Sequence, residues 1–377
     1  MTSSNRFLSL DVFRGITICF MIIVNTPGTG AAPFAPLMHA PWNGFTPTDL
    51  VFPSFLFAVG NAMSFSQRRF ADLPQSTVLL KIFKRTCLIF AIGFLIYWFP
   101  FFKTGPDGIM HAFPISETRI MGVLQRIALC YGLASLLIYY FSSKKVIIIS
   151  FALLAAYWII LLLFGDAHNQ FSVEGNACLY LDQFLFNEKH LYHEAGVVFD
   201  PEGILGTLSA VLNVIIGYFA GKFIREKGKG YESIAKLMIV AAVFIFTALC
   251  WNGIYPINKN LWTGSFVLLT TGIDLAIIGI LIYATEISKH LGGEWTDFFV
   301  VFGKNPLFIY VASVLIRIVM NRVHTDQHTT VYEWFNQAFF QPVAPGPAGS
   351  LLFSLSFVVF CWGIVWYMDK RSLYIRV

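Results

Sequence analysis

The stretch VIIISFALLAAYWIILLLF, residues 146–164, decides the fold, because it holds no charged side chain over its whole length. A segment of roughly 20 mostly apolar residues is long enough to cross the hydrocarbon core of a membrane as one helix. The stretch is therefore predicted to be a membrane-spanning helix. Comparable apolar runs occur at residues 82–99, 204–223, 234–253 and 351–368.

The composition of the whole chain points the same way. Of its 377 residues, 56% are hydrophobic and 12% are charged, and the mean hydropathy is +0.67. A water-soluble domain usually carries about a quarter charged residues. The apolar runs are continuous rather than alternating, which excludes a β-barrel, so the sequence predicts an all-α, polytopic integral membrane protein. About ten spans are predicted, at roughly residues 11–26, 47–67, 82–100, 119–141, 146–164, 203–224, 234–254, 263–285, 297–319 and 349–368.

The distribution of Lys and Arg predicts the orientation. Most of the 26 basic residues lie in loops on one side of the predicted spans, and loops of this kind face the cytoplasm. An even number of spans then places both termini in the cytoplasm. No repeat, linker or change of composition divides the chain, so residues 1–377 are predicted to form a single transmembrane domain. The longest connection, about residues 165–202, would lie outside and is rich in Asp and Glu.

The segment between the first two spans contains one histidine, His39, in the sequence LMHAPWNGFTPTDL at residues 37–50. The prolines and glycines between Asn25 and Pro47 exclude a continuous helix. Non-helical backbone at membrane depth survives only inside protein or beside a wet cavity. Histidine titrates near neutrality, so His39 is a candidate general base, with Asn25 and Asp49 nearby to orient it. The alternative is an interfacial loop whose histidine makes only local hydrogen bonds.

Several ionisable or amide side chains lie inside the predicted spans. A charge at the centre of a bilayer costs about 3 kcal/mol on insertion scales, so these groups predict a polar interior. Inward-facing Arg and Lys side chains also suit the binding of phosphate groups. The alternative is that they form buried ion pairs that hold the helices together. The residues are Asp11, Arg14, Gln125, Arg126, Asp274, Lys304 and Asn305.

Motifs for other chemistries are weak or missing. The pairs His190/His193 and His324/His328 have spacings that a metal ion could use, but neither has a clear further ligand, so no metal is predicted. The sequence has no Walker loop, no Gly-x-Ser-x-Gly and no dinucleotide-binding fingerprint. No nucleic-acid partner is expected, because the net charge of +5 reflects the basic loops on one side of the spans.

Several stretches, taken together, resemble one known family. They are RFLSLDVFRGITI (6–18), MIIVNTPG (21–28), HAPWNGFTPTDLVFPSFLFAVG (39–60), GVLQRIAL (122–129), DPEGILGTLSAV (200–211), PINKNLWTGSFVL (256–268) and GKNPLFIYV (303–311). In this order and density they resemble the heparan-α-glucosaminide N-acetyltransferase family of transmembrane acyltransferases, in particular its bacterial members. The resemblance implies a location in a bacterial inner membrane.

The resemblance also implies a reaction. The family moves acetyl from cytosolic acetyl-CoA to the amino group of a terminal glucosamine on the far side of the membrane. His39 would be the active-site histidine, Asn25 the asparagine that precedes it and Asp49 the acid that follows it. His39 would either take a proton from the attacking amine or carry the acetyl group itself. The sequence leaves both routes open.

Two sets of binding residues are predicted for this reaction, with acetyl-CoA as co-substrate. The acceptor is expected to contact Trp42, Asn43, Asp200 and Glu202, because an acidic outer loop would favour a cationic amine. The other expected partners are membrane lipid and a second copy of the chain in a homodimer. The residues predicted to bind acetyl-CoA are Arg14, Gln125, Arg126, Asn260, Trp262, Lys304 and Asn305.

A second hypothesis is a transporter of an amino sugar such as N-acetylglucosamine. Transporters often have interrupted spans at matching positions of their two halves. In this sequence the Pro-rich segment after the first span has only Pro306 as a candidate counterpart. The acceptor of the acetyltransferase hypothesis also stays open among glucosamine, an envelope fragment and the end of a glycan.

Overall fold

The computed structural model describes residues 7–70, 72–104, 109–194, 197–288, 293–326 and 328–375 of the protein. Within these residues the chain forms thirteen α-helices joined mostly by short connections. The helices are α1 (Leu8–Asn25), α2 (Val51–Ser66), α3 (Gln75–Trp98), α4 (Val123–Tyr140), α5 (Ser143–Phe164), α6 (Ala177–Leu185), α7 (Thr207–Lys227), α8 (Tyr231–Trp251), α9 (Gly264–Ile282), α10 (Glu294–Lys304), α11 (Pro306–Arg322), α12 (Val331–Phe335) and α13 (Pro347–Lys370).

Short strands and single helical turns make up the connections. Strands β1 (Phe102–Thr104) and β2 (Met110–Ala112) form an antiparallel pair between α3 and α4. Strands β3 (His193–Glu194) and β4 (Val197–Val198) form another between α6 and α7. The 3₁₀ turns are Ala35–Leu37, Pro47–Leu50, Gln67–Phe70, Ile115–Glu117 and Glu188–His190, and the π-helical turns are Tyr283–Ile287 and Asn336–Phe340.

The structure confirms an all-α, polytopic membrane protein. In the described part of the chain, seven helices are long and apolar enough to cross a membrane: α1, α4, α5, α7, α8, α9 with its π-helical extension, and α13. The predicted spans at residues 47–67, 82–100 and 297–319 are also helical, but no single helix in them is long and apolar enough to cross a membrane by itself. α2 has 16 residues, because the 3₁₀ turn Pro47–Leu50 takes the start of the predicted span. α3 carries Lys81, Lys84 and Arg85 in its first half.

The predicted span at residues 297–319 is broken in the structure. α10 ends at Lys304, α11 begins at Pro306, and the axes of the two helices differ by 81°. Proline lacks an N–H to donate and disfavours the α conformation in the residue before it. Asn305 accordingly has φ −129° and ψ 52°, outside the helical region. If the bent pair crosses the membrane as one unit, it adds an eighth span.

Side-chain contacts distinguish the two ends of the helix bundle. At one end Lys304 pairs with Asp369, close to the end of α13, and Gly303 packs against the backbone of Asp11, close to the start of α1. We call this end, which carries the first and last helical residues of the described chain, the terminal end. The opposite end carries the connection between α1 and α2, and we call it the histidine end because His39 lies there.

Small residues allow the central helices to approach one another closely. A Cβ atom built on Gly60 of α2 would lie 1.9 Å from the carbonyl oxygen of Val214, and one built on Gly217 of α7 would lie 2.2 Å from that of Phe57. α2 and α7 therefore pack backbone to backbone, as helices do in membranes where small residues face each other. α1, α7 and α9 are mostly buried, whereas α5 and α8 are mostly exposed and lie at the periphery.

Candidate active site

The connection between α1 and α2 folds back on itself at the histidine end. It contains the 3₁₀ turns Ala35–Leu37 and Pro47–Leu50. Thr46 caps the second turn: its backbone N–H donates to Asp49 Oδ2 at 3.0 Å and its hydroxyl donates to the carbonyl oxygen of Met38 at 2.7 Å. A cap of this kind satisfies N–H groups that the first turn of a helix leaves without partners. It also fixes the Asp49 carboxylate beside the residues around position 39.

His39 and Asp49 form the centre of the candidate site. His39 Nδ1 lies 2.7 Å from Asp49 Oδ1, and Asp49 Oδ2 accepts a hydrogen bond from the Ala40 backbone N–H at 3.2 Å. The Asp49 side chain is 1% exposed and the His39 side chain is 53% exposed. A carboxylate that accepts the Nδ1 proton assigns the tautomer and leaves Nε2 with a lone pair. His39 thus presents a nitrogen that can accept a proton or an acyl group.

Lys259 is the residue that sequence reasoning missed at this site. Its Nζ lies 3.0 Å from His39 Nδ1 and 3.1 Å from His39 Nε2, and 3.8 Å from Asp49 Oδ1. The stretch PINKNLWTGSFVL pointed to Asn260 and Trp262, but Lys259 lies between the two asparagines of the same stretch. In the structure Asn260 is half-buried and Lys259 faces the histidine. The signal available in the sequence was a single Lys between two Asn residues in a turn.

Asn25 does not join this cluster by a hydrogen bond. It ends α1, its side chain is exposed, and its carbonyl oxygen accepts a hydrogen bond from Arg317 Nη1 at 2.6 Å. In the described residues no hydrogen bond joins the Asn25 side chain to His39 or Asp49. The role of Asn25 therefore stays a prediction.

Asp200 and Glu202 are held by an arginine rather than presented to solvent. Arg119 donates to Asp200 Oδ2 from Nε at 3.0 Å and to Asp200 Oδ1 from Nη2 at 2.6 Å, and Nη2 also donates to Glu202 at 2.5 Å. Tyr97 and Tyr192 flank the guanidinium group. The prediction that these carboxylates are free to attract an amine did not foresee Arg119, which lies far from them in sequence.

Several cations stabilise the ionised form of Glu202. Burial acts to raise the pKa of Glu202, but Arg119, Arg126 and Lys259 outweigh burial and hold this pKa below its usual range. Glu202 is therefore ionised at neutral pH. The carboxylate links the Arg119 cluster electrostatically to Lys259 and so to His39.

Trp42 and Asn43 extend the site along the same connection. Trp42 Nε1 donates to the Phe171 carbonyl oxygen at 2.7 Å, and its ring meets the Phe199 ring edge to face. Asn43 Oδ1 accepts a hydrogen bond from Asn258 Nδ2 at 3.0 Å. The Trp42 contacts join the His39 connection to the long loop 165–202, of which residues 195–196 lie outside the described residues. The Asn43 contact joins it to the turn that carries Lys259. His190 and His193, considered above for metal binding, each bond a backbone carbonyl oxygen instead.

Arg126 and Gln125 lie deeper in the same half of the protein. Arg126 is buried, donates from Nη2 to the Gly203 carbonyl oxygen at 2.8 Å and lies over the Trp262 ring. Its Nε and Nη1 atoms, and both amide atoms of Gln125, have no hydrogen-bond partner among the described residues. Trp262 itself donates to Asn213 Oδ1 at 3.0 Å. This region therefore contains buried donors available to a ligand or to water.

Asp182 and Asp274 are two further buried acids. Asp182 lies in the long loop, where its Oδ1 accepts from the Ile204 N–H at 3.1 Å. Burial raises the pKa of Asp182 to about 7, the nearby Asp200 adds to the rise, and the Ile204 N–H and Arg126 oppose it. Asp274, on α9, accepts a hydrogen bond from the Ser54 hydroxyl of α2 at 2.5 Å and so links these two helices.

A cavity of about 410 Å³ opens at the terminal end, opposite His39. Arg14 and Lys304 line it together with Asn61, whose buried amide has no hydrogen-bond partner among the described residues. Each cation also has one carboxylate partner: Arg14 pairs with Asp11, and Lys304 Nζ lies 2.7 Å from Asp369. The Asp11 carboxylate lines the cavity too, so an anionic ligand would share the two cations with the carboxylates that they already bind.

The residues predicted to line one acetyl-CoA path are thus divided between the two ends. Lys304 and Arg14 line the terminal cavity, whereas Gln125, Arg126, Asn260 and Trp262 lie in the half that contains His39. The side-chain amide of Asn305 belongs to neither region, because it bonds the backbone of the C-terminal segment. Its Nδ2 donates to the Leu373 carbonyl oxygen and its Oδ1 accepts from the Ile375 N–H, both at 3.0 Å. The amide of Asn305 therefore holds the C-terminal segment.

Comparison with known proteins supports the resemblance seen in the motifs. Residues 6–174 match the family model described as heparan-alpha-glucosaminide N-acetyltransferase, catalytic. The chain is 26% identical over 368 residues to the Homo sapiens protein named heparan-alpha-glucosaminide N-acetyltransferase, covering 81% of this chain and 52% of that protein. The Mus musculus protein of the same name is 26% identical over 369 residues, covering 84% of this chain and 54% of that protein.

The chain therefore spans about half the length of the curated relatives it matches. The matched family region contains His39 and Asp49, and it ends before Lys259 and Lys304. The predicted resemblance to this family is confirmed.

Proposed function

We propose that this chain is a transmembrane acetyltransferase that moves acetyl from acetyl-CoA to the amino group of a glucosamine-type sugar. The observation that carries the proposal is the pairing of half-exposed His39 with buried Asp49 at 2.7 Å. The match of residues 6–174 to an N-acetyltransferase catalytic model supports the same chemistry.

His39 would act through Nε2. Asp49 accepts the Nδ1 proton, so the Nε2 lone pair can accept a proton from the ammonium form of the acceptor, and the neutral amine that results is the nucleophile. The amine nitrogen then bonds to the acetyl carbon, the carbon–sulfur bond of the thioester breaks, and the sulfur leaves as the CoA thiolate and takes a proton. In the other route Nε2 attacks the acetyl carbon and the carbon–sulfur bond breaks, so that CoA leaves as the thiolate. The amine then attacks the same carbon, the bond from this carbon to Nε2 breaks, and the proton released by the amine goes to the CoA thiolate. Both routes use the same histidine and the same carboxylate.

Acetyl-CoA would enter from the terminal end. Arg14 and Lys304 would bind its phosphate groups in the cavity that they line, and Asn61 would hydrogen-bond the bound molecule. Arg126 and Gln125 would then meet the acetyl-bearing part of the co-substrate, because both have buried atoms without protein partners on the side of His39. In this arrangement the phosphates stay at one end of the bundle and the thioester reaches the other.

The amino sugar would bind at the histidine end. Trp42 offers a half-buried aromatic ring and Asn43 is exposed beside His39 in the same connection. Glu202 would contribute a negative field rather than a direct contact, because Arg119 already occupies its carboxylate. The terminal end would face the cytoplasm, where acetyl-CoA is made, and the histidine end would face the outside. The whole chain would act as one membrane domain in a bacterial inner membrane.

The test is acetyl transfer by the purified protein in detergent. Acetyl-CoA labelled in its acetyl group is supplied with a panel of amino sugars, including glucosamine, a glucosamine-ended glycan and a peptidoglycan fragment. We expect labelled N-acetyl sugar and free CoA in equal amounts, with at least one acceptor preferred. Failure to acetylate any of these acceptors, with CoA still bound, would contradict the proposal.

An amino-sugar transporter is the second candidate, and the observation in its favour is the 81° break between α10 and α11. Interrupted helices mark substrate sites in transporters when they occur near the middle of the membrane in both halves of the fold. Here the break lies at the terminal end, beside the α13 terminus, and the other non-helical segment lies at the histidine end. Uptake of labelled N-acetylglucosamine into proteoliposomes without acetyl-CoA would support the transporter.

A further inference from the structure

A lysine ammonium group lies against both nitrogens of His39. Lys259 Nζ is 3.0 Å from Nδ1 and 3.1 Å from Nε2, and the Lys259 side chain is 18% exposed. The same Nζ is 3.8 Å from Asp49 Oδ1. The ammonium group is therefore about equally close to the nitrogen that Asp49 contacts and to Nε2, the atom that acyl transfer would use.

The turn that carries Lys259 is fixed to the His39 connection. Asn258 is buried, and its Oδ1 accepts from the Leu261 N–H at 2.8 Å. Its Nδ2 donates to Asn43 Oδ1 at 3.0 Å, and the Gly44 N–H donates to the Ile257 carbonyl oxygen at 2.8 Å. Two hydrogen bonds therefore join the two segments directly. The lysine is brought to the histidine by the backbone arrangement as well as by its own charge.

Two groups of opposite charge, Asp49 and Lys259, act on the protonation of the His39 imidazole. Asp49, from the 3₁₀ turn, favours the protonated ring, and Lys259, from the turn after α8, disfavours it because two cations at this distance repel. Glu202, before α7, acts on Lys259 and helps to keep it charged. One unit charge at about 3 Å changes a protonation equilibrium by about tenfold even at the dielectric constant of water, and by more in a partly buried site.

We propose that Lys259 is a positioning residue that keeps His39 unprotonated while Asp49 is ionised beside it. Without the lysine, the carboxylate alone would act on the ring and would favour the imidazolium form, which can neither accept a proton nor carry an acetyl group. With it, Nε2 keeps its lone pair and the Asp49 contact still sets the ring orientation. The consequence for turnover rests on the proposed function, but the effect on protonation does not.

The test measures His39 protonation without requiring turnover. Diethyl pyrocarbonate modifies unprotonated imidazole, and peptide mass spectrometry resolves the rate at each histidine as a function of pH. We expect Lys259→Met to shift the His39 modification profile to higher pH by about one unit, so that the rate at acidic pH falls about tenfold. His328, which is exposed and distant in sequence, serves as the internal reference in the same sample.

Matched variants distinguish charge from packing. Lys259→Arg keeps the positive charge and should retain most of the wild-type profile, and Asp49→Asn should shift the profile in the opposite direction, to lower pH. Lys259→Gln provides a second neutral variant in case the methionine variant unfolds, with melting temperature measured in parallel. A His39 profile that is unchanged in both neutral variants would overturn the inference.

Turnover, where it is observed, supplies an independent comparison. The acidic limb of the rate profile should move to higher pH in Lys259→Met and stay in place in Lys259→Arg. If the modification profile shifts but no variant and no wild-type protein transfers acetyl, the proposed function fails and the role of Lys259 in His39 protonation stands. If acetyl is transferred and neither profile shifts, the proposed function stands and this inference fails.

Discussion

The two ends of the bundle hold their charged groups in different ways. At the histidine end, His39, Asp49 and Lys259 come from two connections that are joined by one backbone and one side-chain hydrogen bond, and their atoms lie within 3.8 Å of one another. At the terminal end, Arg14 and Lys304 project from helices into a cavity of about 410 Å³. Fixed, mutually contacting groups suit a chemical step, whereas cations around an open space suit the binding of a larger anion.

This difference has a consequence for mutations. Substitutions at the histidine end should lower the rate of transfer with little effect on binding of the co-substrate. Substitutions in the terminal cavity should weaken binding of the co-substrate and leave the chemical step intact.

The largest effect is expected for His39→Ala. The loss of a general base or acyl carrier should lower kcat by about 10²- to 10⁴-fold. The side chain is 53% exposed, and the hydrogen bonds of Asp49 to Ala40 and Thr46 remain, so the melting temperature should change little. Labelled acetyl transfer and a thermal melt in detergent measure the two quantities. Residual turnover within tenfold of the wild type would assign the chemistry to another residue.

Arg119→Met should have the largest effect on stability. The guanidinium group is the partner of two carboxylates, those of Asp200 and Glu202, and its removal leaves them buried without it. Breaking a buried pair in this way costs about 3–5 kcal/mol. We expect a clear fall in melting temperature, with a smaller fall for Arg119→Lys, which keeps the charge but not the paired geometry. Equal melting temperatures for wild type and Arg119→Met would show that the cluster is not structural.

Lys304→Met tests the terminal cavity. The loss of one cation should weaken CoA binding by roughly 10- to 100-fold, the range that hydrogen bonds to charged groups supply. The loss should shrink for pantetheine, which lacks the phosphates. Titration calorimetry with both ligands measures the difference, and Asp369→Asn is the matched control because it breaks the same ion pair and keeps the lysine. An unchanged CoA affinity with a collapsed melting temperature would make Lys304 structural.

The smallest effect concerns Asp182 and pH. Because the pKa of Asp182 is raised to about 7 in the folded protein, its neutral form is the one that the fold favours. Below about pH 4 Asp182 is protonated in both the folded and the unfolded chain, and its contribution to the free energy of unfolding is fully present. This contribution is lost as pH rises from about 4 to about 7. Asp182→Asn should remove this decline, so the melting temperature of the variant should rise relative to that of the wild type as pH increases from about 4 to about 7. A constant difference across this range would contradict the assignment.

Much of the fold follows from local patterns in the sequence. The apolar runs predicted where helices lie, because a membrane requires continuous apolar length and internally satisfied backbone groups. The non-helical connection after α1 followed from its prolines and glycines. The break before Pro306 was less evident, because a proline in a membrane helix often produces only a kink, whereas here the helix restarts at 81°.

The candidate site was predictable only where its residues are close in sequence. His39 and Asp49 lie in one connection, and the resemblance of the motifs brought them together. Lys259 and Arg119 reach the site through tertiary packing, which no periodicity or spacing records. The same limit applies to Lys304 and Arg126, which the sequence predicts to bind acetyl-CoA together although they lie at opposite ends of the bundle. Both are costly to expose to lipid, but that cost does not indicate at which end of the bundle each lies.

The most direct measurement of the two-ended arrangement separates donor and acceptor by a membrane. Protein is reconstituted into sealed proteoliposomes and its orientation is determined by protease accessibility. Labelled acetyl-CoA is then added only on the side of the terminal end, and glucosamine only on the side of the histidine end. We expect labelled N-acetylglucosamine on the glucosamine side, at a rate that His39→Ala lowers by about 10²- to 10⁴-fold. Product that forms only when both substrates share one side would contradict it.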